Sequence, residues 1–77
     1  MEVQAQVVDI MVGLLDLDAG ELHDEVELYA GLGVDSTETV ELVLALEKFF
    51  GIKITKEEIT KFSKLGEITR VVQGKLN

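Results

Sequence analysis

The sequence predicts an all-α fold, a small helical bundle of three main helices plus one short helix, with a long loop between the first and second helices. Apolar residues recur at helical spacing in three separate stretches. Capping-box patterns stand at Asp35 and again at Thr55, where helices are expected to start. The composition agrees: 47% of residues are hydrophobic but only 5% aromatic, with no Pro to break helices and no Cys to staple loops. The 77 residues are read as one domain, 1–77. A domain of that size buries roughly 60% of its unfolded surface, so its core is small.

Val3, Val7, Ile10 and Leu14, with neighbours Met11 and Leu15, predict a first amphipathic helix over residues 2–15. From Asp16 to Val34 the periodicity fades and Gly20, Gly31 and Gly33 punctuate the chain, which reads as a long connection pinned by Leu22, Val26, Leu28, Tyr29 and Leu32. Asp35, with Glu38 three residues on, opens the second helix, which runs to Phe50 and stops at Gly51. Thr55-Lys56-Glu57-Glu58 repeats the capping pattern and predicts a short helix ending near Thr60 or Lys61. Leu65, Ile68, Val71, Val72 and Leu76 complete the bundle with a final amphipathic helix.

The net charge of −8 is unevenly placed, since residues 1–47 hold 12 acidic groups and no Lys or Arg, whereas residues 48–77 hold 3 acidic and 7 basic ones. The acidic excess repels nucleic-acid phosphates and anionic membrane surfaces, and it favours basic protein partners. Residues 1–13 lack the basic start and continuous apolar run of a signal peptide, and no segment approaches the ~18 apolar residues of a membrane span. A cytoplasmic monomer with no stable membrane insertion is therefore expected. Enzyme constellations find no material: His23 is the single histidine, read as a solvated loop residue, and there is no cysteine. Gly31-Leu32-Gly33 is only half of a dinucleotide fingerprint.

The helix that begins after Asp35 carries the chemistry. At about 100° per residue, Leu42, Val43, Leu46 and Phe50 share one sector and form its core face. The opposite sector gathers Thr37, Val40, Glu41, Leu44, Glu47 and Lys48, two aliphatics among charges, the mixture of a transient docking surface with an apolar centre and a charged rim. Ser36 falls in the first turn, where free backbone N–H groups and the positive end of the helix dipole suit a phosphate ester.

Leu32-Gly33-Val34-Asp35-Ser36, continued by Glu38, Val40, Glu41, Leu42, Val43, Leu46, Glu47 and Phe50, resembles the acyl carrier proteins. The resemblance spans nearly the whole chain, and residues 32–50 are its specific part. It implies a non-enzymatic carrier with 4′-phosphopantetheine, taken from coenzyme A, on Ser36. Thioester-bound acyl intermediates of fatty-acid, lipid or polyketide-type synthesis would ride on that arm. It also implies partners: a phosphopantetheinyl transferase, and acyl-transferring or synthase enzymes with basic docking patches. By that resemblance Asp35, Glu38, Glu41 and Glu47 would be acidic contacts for them, beside Thr37, Val40, Leu44 and Lys48 of the docking sector read from the helix period.

Several positions depart from the family pattern. Thr37 stands where Leu usually follows the serine, Gly31 replaces the acid before Leu-Gly, Lys48 and Phe49 replace late acids of the second helix, and Ile54-Thr55-Lys56-Glu57 replaces Ile-Pro-acid. These changes imply a specialised carrier with a restricted set of partners. Other readings stay open: a peptidyl or aminoacyl carrier, an unmodified acidic interaction domain, and a weak calcium module. The last rests on Asp16, Asp18, Asp24 and Glu27, spaced as positions one, three, nine and twelve of an EF-hand loop but with Glu21 where that loop requires Gly.

Overall fold

The computed structural model describes residues 2–77; Met1, part of the segment read above for a signal peptide, lies outside them. Helix α1 (Val3–Leu15) is followed by a 3-10 turn (Ala19–Glu21), helix α2 (Leu28–Leu32), helix α3 (Ser36–Phe50) and helix α4 (Leu65–Leu76). The all-α class and the three long helices are as expected. The short helix is not where it was expected, because α2 lies inside the long connection and residues 55–61 form turns.

Both differences have local causes. Leu28–Leu32 closes into a helix because Leu28 is fully buried and Gly33, left-handed at φ 70°, ends the turn by donating its N–H to Leu28 and Tyr29. Gly31 fits within it because Val26 presses close: a Cβ there would lie 2.6 Å from Val26 Cγ2. After Thr55, side-chain oxygens compete for the backbone. Thr55 N–H donates to Glu58 Oε1, Thr60 N–H to Ser63 Oγ and Phe62 N–H to Thr60 Oγ1, so the segment breaks into successive turns.

Helix α1 packs on α3 and α4, and α3 on α4. Val7 and Met11 of α1 meet Leu42 and Leu46 of α3 and Leu65, Ile68 and Val72 of α4 in one cluster, closed by Val26, Leu28, Val34, Ile54 and Ile59. Of the expected core face of α3, Leu42 and Leu46 are fully buried, while Val43 and Phe50 sit half-buried at its margin. Of the residues expected to pin the connection, Tyr29 instead points outward, under the ammonium of Lys61 at 4.7 Å from its ring.

The connection is also fastened to the start of α4. Leu28 N–H donates to Ser63, Tyr29 N–H to Lys61, Leu65 N–H to Val26 and Gly66 N–H to Asp24, with Glu27 and Lys64 paired antiparallel. At the other end of this segment Glu58 pairs with Lys75 at 2.9 Å. The Thr55 amide, and after it Lys75, hold the Glu58 carboxyl below the ordinary glutamate value of 4.5. A depressed native pKa stabilises the fold above the unfolded value, and that contribution is lost as pH falls through the native one. Glu58→Gln should therefore flatten the acid side of the urea-midpoint profile, and identical profiles for parent and variant would refute this.

Candidate functional site

Helix α3 starts on a complete capping box. Glu38 N–H donates to Asp35 Oδ1 at 2.8 Å, and Asp35 N–H donates to Glu38 Oε1 at 3.2 Å. The Thr39 hydroxyl, buried and not anticipated from the sequence, donates to the Asp35 carbonyl at 2.8 Å. Thr39 leads Leu42 and Leu46 at spacings of three and seven, which is the signal that marks it as a core position. None of these bonds uses the Ser36 hydroxyl. Ser36 is the first residue of α3 and exposed, so its Oγ projects beside helix-start amides that have no partner within the helix.

Asp35 carries the cap, so the helix start does not depend on Ser36. The geometry accepts a group esterified at Ser36 Oγ: the oxygen is accessible, and the dipole end beside it favours phosphate.

A cleft of about 400 Å³ opens beside Ser36 and runs between α3 and residues 54–62. Val40, Val43, Leu44, Ile54, Ile59 and Phe62 make its apolar wall, with Lys56 and Lys61 also in its lining. Phe62 is 63% exposed and stands in the cleft lining. A second, more open hollow adjoins it through Leu44 and Glu47, and Lys48 and Lys53 border that hollow.

The residues expected on the docking face all lie on α3 or its cap, but they do not present alike. Val40 and Leu44 are 58% and 60% exposed, and Thr37, Glu41, Lys48 and Asp35 are exposed as well. Glu38 is half-buried in the capping box. Glu47 turns inward, where Oε2 accepts from Ile54 N–H at 2.8 Å and fixes the chain after α3 to the helix. Its carboxylate thus holds the cleft wall in place. Sequence reading did not assign Lys53 to this face, although the switch to basic residues after Glu47 marks it.

The carboxylates of the calcium reading do not converge. Asp16 ends α1 in the left-handed region at φ 55°, Asp18 accepts from Gly20 N–H, and Asp24 accepts from the Gln4 side chain. Among the described residues no three acidic or histidine groups gather where a metal ion would sit. Among them too, no helix is long and apolar enough to cross a membrane.

Comparison with known proteins bears on the same site. The family described as "Phosphopantetheine attachment site" matches residues 5–72, a span that includes the α3 start and the whole cleft. An acyl carrier protein of Wolinella succinogenes is 33% identical over 73 residues, covering 95% of this chain and 96% of that protein. An acyl carrier protein of Helicobacter pylori strain G27 is 36% identical over 59 residues, covering 77% and 76%. With a family model matched over most of its length and a relative 33% identical along nearly the whole of both chains, this chain belongs to the acyl carrier protein family, whose members carry a prosthetic arm rather than catalyse and whose group is 4′-phosphopantetheine.

Proposed function

We propose that Ser36 is the residue that bears the arm, and that the protein shuttles thioester-bound acyl intermediates between the enzymes of a fatty-acid, lipid or polyketide-type synthesis. One observation carries this reading. Ser36 is exposed at the first residue of α3, with its hydroxyl outside the cap that Asp35 and Glu38 complete, in a chain whose family is defined by phosphopantetheine attachment. The bound arm supplies the thiol that a chain without cysteine lacks. Ser36 needs no base within the protein, because a phosphopantetheinyl transferase brings coenzyme A and activates the hydroxyl. Incubation with such a transferase and coenzyme A, followed by intact mass and peptide mapping, tests the assignment.

The chain is read as a cytoplasmic monomer, one domain that meets its partners in turn through Asp35, Thr37, Glu38, Val40, Glu41, Leu44, Glu47 and Lys48. Its cargo is housed in the cleft beside Ser36, whose apolar wall is aliphatic except for Phe62. Each methylene buried there adds up to about 0.8 kcal/mol. Medium-length acyl chains should therefore raise the melting temperature above that of the protein with the arm alone, in increasing order of length until the cleft is filled. Melting that is independent of chain length would eliminate the cleft as the cargo site.

A further inference from the structure

Two of the seven basic residues are neutralised within the fold, Lys64 by Glu25 at 3.1 Å and Lys75 by Glu58 at 2.9 Å. Lys48, Lys53, Lys56 and Lys61 form no ion pair among the described residues, although the chain carries 15 acidic groups. Arg70, the seventh basic residue, likewise forms no ion pair among the described residues and lies outside this surface, whereas these four lysines border one continuous depression. Lys56 and Lys61 line the cleft, Lys48 and Lys53 line the adjoining hollow, and the two share Leu44 and Glu47. Glu47, the one carboxylate in both linings, is bound to the Ile54 amide and is half-buried. Lys61 lies over the rings of Tyr29 at 4.7 Å and Phe62 at 5.4 Å, which fixes a positive charge beside an exposed apolar surface. Leu44 and Phe62 stand exposed at the depression, an apolar pair with cations around it.

We propose that this depression docks a protein partner that sets carboxylates opposite Lys48, Lys53, Lys56 and Lys61 and inserts an apolar side chain between Leu44 and Phe62. The docking surface is then bipolar. The first turns of α3 present Asp35, Glu38 and Glu41 to basic groups, while Lys48 at its far end and Lys53, Lys56 and Lys61 beyond it face acidic ones, with Glu47 between them tied to the Ile54 amide. The helix dipole favours Lys48 at the end of α3, but it accounts for neither Lys53 nor Lys56, which lie outside any helix. A lipid surface fits less well. Its negative charge is uniform and would face the acids of the same helix in a protein of net charge −8, whereas a folded partner places carboxylates only where the lysines are. The inference goes beyond the assignment of Ser36 and does not require it.

The test uses the unmodified, isotope-labelled protein and three probes. The first is a helical peptide with four glutamates flanking a leucine and phenylalanine stripe. The second is the same peptide with lysines for glutamates, and the third is vesicles of phosphatidylcholine and phosphatidylglycerol. The acidic peptide should shift the amide resonances of Leu44, Lys48, Lys53, Lys56 and Lys61, with an affinity that falls as salt rises. The triple variant Lys48→Glu, Lys53→Glu, Lys56→Glu, shown folded by circular dichroism, should lose roughly tenfold in that affinity. Should the triple variant fail to fold, Lys53→Gln and Lys56→Gln singly should each weaken binding. The proposal is overturned if the basic peptide binds these residues more tightly, if lysine replacement leaves the affinity unchanged, or if vesicles bind through the same lysines. Attachment of the arm is read separately by mass, so a failure of docking and a failure of the Ser36 assignment are told apart.

Discussion

Ser36→Ala should abolish all mass gain from a phosphopantetheinyl transferase and coenzyme A, while the helical circular dichroism stays that of the parent. The loss is complete because no second hydroxyl shares the setting. Thr37 is one position further into α3, and the Ser63 hydroxyl accepts from Thr60 N–H in a turn. The fold is spared because the capping bonds belong to Asp35, Glu38 and Thr39. Alanine is moreover the better helix former in the first turn. Intact mass and tryptic mapping decide the matter. An undiminished gain in the variant, or an arm mapped to Thr37 or Ser63, would falsify the assignment.

The second large effect is expected far from the serine. Leu28→Ala should destabilise the protein by about 2–5 kcal/mol, the cost of a large buried aliphatic cut back to a methyl. Leu28 is fully buried, its amide is bound to Ser63, and its carbonyl accepts from Val34. Small domains hold only about 5–15 kcal/mol in all, so such a loss brings the variant close to unfolding at ambient temperature. His23→Ala, exposed in the same connection, should stay within about 0.5 kcal/mol. Urea midpoints for both variants give the comparison; a Leu28→Ala midpoint equal to that of His23→Ala would show that the connection is a loose loop after all.

Leu28 also shows where sequence reading stops. The start of α3 was legible because its signal is local: Asp35 and Glu38 satisfy each other's amides and Gly51 supplies the left-handed stop at φ 67°. Helices α1 and α4 were legible from their apolar spacing alone. Helix α2 was missed because its five residues have no side-chain cap and its glycines read as punctuation. Gly33 is indeed the stop of α2, but Gly31 is a packing site beneath Val26. Leu28 and Leu32 four apart, followed by Gly33, were the available sign. At Thr55 the opposite error arose: the capping pattern is real on one side, but Thr60 and Ser63 draw the following amides into turns.

The candidate site divides in the same way. Ser36, Val40, Glu41 and Leu44 stand exposed as the helical wheel requires, since the wheel depends only on the period of α3. The inward turn of Glu47 and the alignment of Lys53 with Lys48 depend on how the chain folds back after Gly51, and no local pattern encodes that.

The bonds that fasten the connection to the start of α4 join position 28 to 63, 29 to 61, 26 to 65 and 24 to 66. Each closes a long stretch of chain, so its formation carries a loop-closure entropy that the bonds between positions 35, 38 and 39 do not. The helix start and the seam thus belong to different classes of order. The helix start at Ser36 is closed by neighbours in sequence, and the seam beside Gly66, where a Cβ would meet the Asp24 carbonyl at 3.2 Å, is closed only by the finished topology. The bonds that cap the helix beneath Ser36 are thus made by its own neighbours in sequence, and none of them crosses the seam.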